Sequence, residues 1–137
     1  MLENRIRRLF TALVIIQAIH SAEEYVGRLW EVLPLAEYLT GLLADNHETG
    51  FLIGNISLFI IGLGCIVIVR LSEIKNASAF IWFWIILELF NGAGHMLWSL
   101  FQLHYVPGVA TAPLLFLVAF MLGRELLNLE SKNGSSI

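Results

Sequence analysis

The fold is decided by residues 77–123, ASAFIWFWIILELFNGAGHMLWSLFQLHYVPGVATAPLLFLVAFMLG, in which Glu88 is the only Asp, Glu, Lys or Arg. The hydrocarbon core of a bilayer is about 30 Å thick and needs about 20 apolar helical residues to cross it. The stretch is too long for one crossing, and the turn residues at 105–108 divide it. It therefore predicts two membrane spans, near residues 77–103 and 107–127.

The rest of the chain supplies two further apolar segments. Residues 49–69 contain no Asp, Glu, Lys or Arg and predict a span near 50–70. Residues 9–22 are also apolar and, extended to Arg28, predict a span near 8–28 with polar residues at one end. We therefore predict one all-α domain over residues 1–130, an integral membrane bundle of four transmembrane helices, followed by a flexible tail at 131–137.

The overall composition agrees with a membrane protein. The hydrophobic fraction is 58% and the charged fraction is 14%, whereas soluble domains carry about 25% charged residues. A net charge of −3 offers no basic face for a nucleic acid, so we expect none as a partner. The expected surroundings are the lipid bilayer. Glycines at 50, 54 and 62 would allow close helix contacts within one chain or between chains, so a homo-oligomer stays open.

Basic residues predict the orientation in the membrane. Arg28 lies on one side of the four-span arrangement, and the other Lys and Arg residues lie on the opposite side: Arg5, Arg7, Arg8, Arg70, Lys75, Arg124 and Lys132. The positive-inside rule then places both termini in the cytoplasm. In the first outer loop, Pro34 can begin a short helix with leucines 35, 39 and 42 on one face, which predicts an interfacial helix; the alternative is a plain surface connector.

Ionisable residues recur inside the predicted spans at helical spacing. His20, Glu23 and Glu24 lie within one turn of the first helix, and Glu88, Asn91 and His95 follow one stripe of the third. Counting 1.5 Å per residue places them and two residues of the inward-running helices, Asn55 and Thr111, at roughly 16–27 Å above the inner boundary. Because ionisable groups are costly inside a membrane, this shared level predicts one polar site in the outer half of the bilayer.

Carboxylates and imidazoles in apolar surroundings need compensation by protons or by a metal ion. Imidazole and carboxylate ligands suit zinc, iron or manganese, and helix bundles commonly hold metals between facing helices. We predict a divalent metal bound by His20, Glu24, Glu88 and His95, with Glu23 and Glu24 as catalytic residues. The substrate-binding or supporting residues would be Asn55, Asn91, Tyr105 and Thr111. The alternative is a metal-free hydrogen-bonded network for packing or proton transfer.

Three motifs in order carry a family resemblance: His20-x-x-Glu23-Glu24, Asn91-x-x-x-His95, and Tyr105-x-Pro107-Gly108 with Thr111. They resemble those of the HXXEE family of small, mostly prokaryotic membrane proteins. The resemblance covers nearly the whole chain and implies a prokaryotic cytoplasmic membrane. That family has no assigned biochemical function, although its motifs suggest a membrane metalloenzyme.

A weaker similarity involves CAAX-type intramembrane proteases. Their first motif, Glu-Glu-x-x-x-Arg, is matched by Glu23, Glu24 and Arg28. Phe90 and His95 depart by one residue from the second motif, the third is absent, and the chain has fewer spans. The similarity therefore suggests related chemistry at most.

These observations favour a metal-dependent membrane enzyme, of hydrolase type, acting on a lipidic or small amphiphilic substrate. A metal-activated water and a neighbouring carboxylate would supply the chemistry. Two alternatives stay open at this stage. The first is a metal-free acid–base isomerase or cyclase, because a carboxyl kept neutral by burial is a competent acid. The second is a protein that binds or transports a cation or proton.

Overall fold

The computed structural model describes residues 2–134 and is all-α. A short 3-10 turn at Leu29–Glu31 follows the first helix. The α-helices are, in chain order, α1 Leu2–Val26, α2 Pro34–Leu43, α3 His47–Leu71, α4 Ile74–Gln102 and α5 Ala112–Gly134. The all-α fold predicted from the sequence is confirmed.

Three helices are long and apolar enough to cross a membrane. They are His47–Leu71, Ile74–Gln102 and, within α5, Ala112–Lys132. Helix α1 has 25 residues but is too polar to be counted among these candidate spans. Arginines lie in its first two turns, and His20, Glu23 and Glu24 lie near its other end. The structure thus gives three candidate spans, where the sequence predicted four.

Contacts between helix ends show that the four long helices alternate in direction. The Arg7 guanidinium donates to the carbonyls of Val69 and Arg70 (2.6 Å) at the end of α3, and to that of Ser72 (2.9 Å), the residue that caps it. Arg5 pairs with Glu125 of α5 at 3.1 Å. The beginning of α1 therefore lies beside the ends of both α3 and α5.

The apolar core fills this end of the bundle. Helix α1 packs between α3 and α5, and α4 packs against α5. Gly62 permits the close approach of α3, because a Cβ there would lie 2.8 Å from Val14 and 3.0 Å from Trp84. The fully buried large side chains of this core include Ile6, Phe10, Leu13, Ile81, Trp84, Ile85, Leu115, Leu122 and Leu126.

Helix α2 begins at Pro34, as the sequence predicted, with proline in the first turn. It packs on the first turns of α3, where Gly50 leaves room for it: a Cβ on Gly50 would lie 2.1 Å from the Thr40 carbonyl oxygen. The side chain of Asn46 caps α3 by accepting a hydrogen bond of 2.9 Å from the Thr49 amide.

Helix α5 begins five residues later than the predicted span at 107 and ends later than 127. Residues 107–111 form a turn instead, in which the Ala112 amide donates to the Gly108 carbonyl at 2.9 Å. Helix α5 includes residues 131–134, which the sequence assigned to a flexible tail; there the Ser131 hydroxyl donates to the Asn128 carbonyl and the Trp82 indole to Glu130. The rest of that predicted tail, 135–137, lies outside the described residues.

Candidate metal centre

A buried cluster of two imidazoles and one carboxylate joins α1 to α4. His20 and Glu24 are one turn apart on α1, and His95 reaches them from α4. Glu24 Oε1 lies 2.9 Å from His95 Nε2 and 3.3 Å from His20 Nε2. The two imidazole rings pack edge to face with their centroids 4.7 Å apart. All three residues are at least 95% buried, so neither water nor lipid surrounds this cluster.

The hydrogen bonds around His20 determine which of its two ring nitrogens carries the lone pair. The Thr111 hydroxyl has one proton, which it donates to Glu23 Oε2 at 2.6 Å, with the Gly108 carbonyl as a more distant acceptor at 3.3 Å. The contact of 2.7 Å between Thr111 Oγ1 and His20 Nδ1 must then be donated by the histidine. In neutral His20 the lone pair therefore lies on Nε2, directed at Glu24.

The cluster could hold one metal ion. One ligand atom from each of His20, Glu24 and His95 lies within 4.8 Å of the others. Ligands bound at about 2.0–2.1 Å to a tetrahedral ion are about 3.3–3.4 Å apart, close to the 3.3 Å between His20 Nε2 and Glu24 Oε1. Without a cation or an extra proton, two electron-rich atoms would face each other there in buried surroundings. Two histidines and one glutamate also match a ligand set of catalytic zinc.

Glu23 faces away from this cluster and towards the connection between α4 and α5. Its carboxylate accepts hydrogen bonds from the Tyr105 hydroxyl (2.6 Å), the Ala110 and Thr111 amides (3.1 and 3.0 Å) and the Thr111 hydroxyl. The hydrogen bond that the Tyr105 hydroxyl donates to Glu23 raises the pKa of Tyr105 to about 12. Glu23, predicted as a catalytic residue, thus orients Thr111 and, through it, His20; carboxylates that orient ligand histidines are common beside metals.

Gly108 forms the wall of the site on the α5 side. Its φ of +94° lies in the region that favours glycine. A Cβ there would lie 2.7 Å from the His95 ring atoms Cε1 and Nδ1 and 2.9 Å from His20 Cε1. The sequence placed Gly108 in a turn but gave no sign that its bare backbone packs against both imidazoles.

Glu88 lies outside the three-residue cluster, although it was predicted as a fourth ligand. It is completely buried, and its Oε2 accepts a hydrogen bond of 3.3 Å from Asn91. Its Oε1 has no hydrogen-bond partner among residues 2–134. A buried carboxylate with so little compensation is costly, which favours the neutral acid.

A chain of polar side chains connects Glu88 to α3. Asn91 donates to Gln17 (3.4 Å), Gln17 donates to Ser21 (3.2 Å), and Ser21 donates to Asn55 (2.6 Å). Asn55 and Asn91, predicted as supporting residues, thus belong to this chain of hydrogen bonds, which runs from Glu88 to α3. The sequence analysis missed Gln17 and Ser21, although polar residues four apart in an apolar helix were a signal for a shared face.

The family comparison covers the part of the chain that contains these residues. A family model described as a protein of unknown function with HXXEE motif matches residues 11–122, which include the cluster and the turn at 107–111. The chain belongs to the HXXEE family. In its HXXEE motif, His20 and Glu24 belong to the buried cluster with His95, and Glu23 accepts hydrogen bonds from Thr111. No curated protein and no solved structure matches the chain.

Proposed function

We propose that this HXXEE protein is a metal-dependent membrane enzyme of hydrolase type that acts on a lipidic or amphiphilic substrate. The observation that carries the proposal is the buried convergence of His20, Glu24 and His95 from two helices, with the free nitrogen of His20 fixed by Thr111. Zinc, iron or manganese would be held by these three residues and would act as a Lewis acid that activates water. A substrate from the bilayer would reach it at the end of the bundle near 105–111.

The proposal includes four transmembrane helices with both termini in the cytoplasm. It is supported by the alternating helix directions and by the apolar side chains exposed on α3, α4 and α5. Helix α1 would cross as the inner helix, since α3 and α5 pack against it and its polar groups turn towards protein. Exposed Leu35, Leu39 and Leu42 of α2 would lie in the outer interface.

Each polar residue has a distinct role in this proposal. His20, Glu24 and His95 bind the metal, and Glu24 also offers its second carboxylate oxygen as a proton acceptor. Thr111 and Glu23 are positioning residues, because they act on His20 and on the connection that covers the site. Glu88, a buried acid two turns below His95 on α4, would hold a proton inside the bundle.

Metal content tests the binding part of the proposal. Protein purified in detergent, incubated with zinc, iron(II) or manganese and then desalted, should retain about one ion per chain. His20→Ala, Glu24→Gln and His95→Ala should each weaken retention at least tenfold. His104→Ala is the matched control, because the His104 side chain is exposed and its Nδ1 contacts the Tyr105 carbonyl at 2.8 Å, outside the cluster. Glu88→Gln should retain the metal.

The hydrolase part needs a separate measurement. Hydrolysis of long-chain acyl esters in mixed micelles, followed as fatty acid released, should depend on the added metal and fall at least a hundredfold in Glu24→Gln. Equal metal retention in His20→Ala and His104→Ala would contradict the metal centre. Ester hydrolysis that is normal in metal-stripped protein would instead favour acid–base catalysis without a metal.

A further inference from the structure

An elongated groove runs along the bundle between α1 and α3, on a different face of α1 from the metal-ligand cluster. Its α1 side is the stripe Val14, Gln17, Ala18, Ser21, Ala22 and Tyr25. At 1.5 Å per residue this stripe is about 16 Å long. The groove holds about 320 Å³, at the lower end of the range for small-molecule sites. It is thus long and narrow enough for a single extended chain.

Most side chains that line this groove are apolar, and none of them is charged. Phe51, Leu52, Ile56 and Phe59 of α3 form one wall, and Trp84 of α4 lies at the end near Val14. Because α3 is one of the candidate spans, this side of the bundle faces hydrocarbon in a membrane. A ligand entering from there must be apolar along most of its length and neutral.

Unused hydrogen-bond donors in the groove indicate a second property of the ligand. The Gln17 and Asn55 amides each use one N–H, for Ser21 and for the Phe51 carbonyl, which leaves each a second N–H. A buried donor without a partner is costly, so these groups favour a ligand that brings an acceptor oxygen.

We propose that the groove between α1 and α3 binds one fatty-acyl chain through its neutral carbonyl oxygen, as in a lipid ester. An alkane would leave the donors unsatisfied, and a free carboxylate would bring a charge that no cation in the groove compensates. The site extends the proposed function by naming an acyl ligand. Its occupancy is independent of the metal, because none of the three cluster residues lines the groove.

Bromine quenching of tryptophan fluorescence tests the proposal, because Trp84 lines the groove. The probes are methyl 11-bromoundecanoate, 1-bromoundecane and 11-bromoundecanoate, added to protein in dodecyl maltoside, whose alkyl chain carries no carbonyl. The ester should quench saturably with one site per chain. The bromoalkane and the carboxylate should each bind at least tenfold more weakly, as expected for the loss of about one hydrogen bond or the burial of an unpaired charge.

Two matched variants locate the site. Ala18→Phe, which fills the groove, should weaken ester binding at least tenfold. Gly64→Phe places the same side chain on α3 where a Cβ would meet nothing within 4 Å, and should bind as the parent does. His20→Ala should also bind the ester normally, which separates this site from the metal centre.

Three results would overturn the groove proposal. The first is quenching that rises linearly with every probe, and the second is equal affinity for the ester and the bromoalkane. The third is unchanged ester binding in Ala18→Phe. If ester binding is confirmed while the metal tests fail, only the proposed enzymatic function is wrong.

Discussion

At the scale of single residues, the geometry of the site depends on individual atoms that contact His20 and His95. The Thr111 hydroxyl donates to Glu23 and accepts from His20, so one oxygen atom sets the orientation of an imidazole. Gly108 contributes the opposite property, the lack of a side chain, which lets the backbone cover the rings of His20 and His95. Small changes at these positions should therefore affect the cluster strongly.

Replacing Thr111 by valine tests the control of His20. The change keeps the shape of the side chain but removes the oxygen, so a buried Nδ1–H loses its acceptor at a cost of about 1–3 kcal/mol in the free energy of unfolding. Metal affinity should fall roughly 10–100-fold, as for other groups that orient ligand histidines. Thr111→Ser should retain both properties. Equal metal affinity in the valine and serine variants would show that the hydroxyl does not orient His20.

Replacing Gly108 by alanine tests the wall of the site. The left-handed backbone alone costs a side chain about 1–2 kcal/mol, and the contact of 2.7 Å with His95 adds to this. Chemical unfolding in detergent should show a loss of more than about 2 kcal/mol. Gly94→Ala in α4 is the control, since its Cβ would meet nothing within 4 Å and alanine favours helix by about 1 kcal/mol. A harmless alanine at 108 would contradict the close contact.

At the scale of elements, the connection between α4 and α5 is held by α1. Glu23 receives four hydrogen bonds from this connection and from the first residues that lead into α5. The connection covers the cluster. Helix α1 therefore has two roles: it supplies two of the three candidate ligands, and through Glu23 it holds the connection that covers them. The two neighbouring glutamates of the motif divide these roles, because Glu24 contacts His95 and Glu23 bonds the connection.

The bond from Tyr105 to Glu23 should give a measurable dependence of stability on pH. Because folding raises the pKa of Tyr105 from its ordinary value of 10 to about 12, the bond stabilises the folded state fully below pH 10. The contribution is lost as the pH rises through 12. The difference in unfolding free energy between the parent and Tyr105→Phe should be constant from about pH 7 to pH 10 and shrink between pH 10 and 12. A difference that does not change with alkaline pH would contradict this role of the bond.

At the scale of the whole molecule, the two ends of the bundle differ in chemistry. One end carries arginines that cap α3 and pair with α5, and the other carries the buried imidazoles, the carboxylates and the acidic loop. This asymmetry accompanies the alternation of the long helices. It suits a protein that sits in a membrane with its basic end in the cytoplasm and its site near the outer surface.

Cysteine labelling tests the proposed orientation. Asp45→Cys, between α2 and α3, should react with a membrane-impermeant maleimide added outside intact cells. Glu73→Cys, between α3 and α4, is the control and should react only after the membrane is opened. Asp45 and Glu73 are both exposed, whereas Cys65 is buried in α3. Labelling of residue 73 in intact cells would reverse the orientation, and labelling of both residues would contradict four membrane crossings.

The sequence by itself determined the helices and the local part of the site. Apolar composition predicted α3, α4 and most of α5, Pro34 predicted the start of α2, and the four-residue spacing of His20 and Glu24 placed them on one face. These are properties of neighbouring residues in a helix, so they need no knowledge of the other helices. The same reasoning brought Glu88 and His95 onto one stripe of α4.

Only the tertiary structure decided which of these groups meet. The rotation and height of one helix against another depend on packing, such as the approach of α3 at Gly62 and of the connection at Gly108, which spacing along the chain does not encode. For this reason His95 joins the cluster while Glu88, two turns away, bonds Asn91, and Glu23 turns to Thr111 while Glu24 turns to the imidazoles. Helical periodicity determines which side chains share a face of a helix, and the packing between helices determines which residues that face contacts.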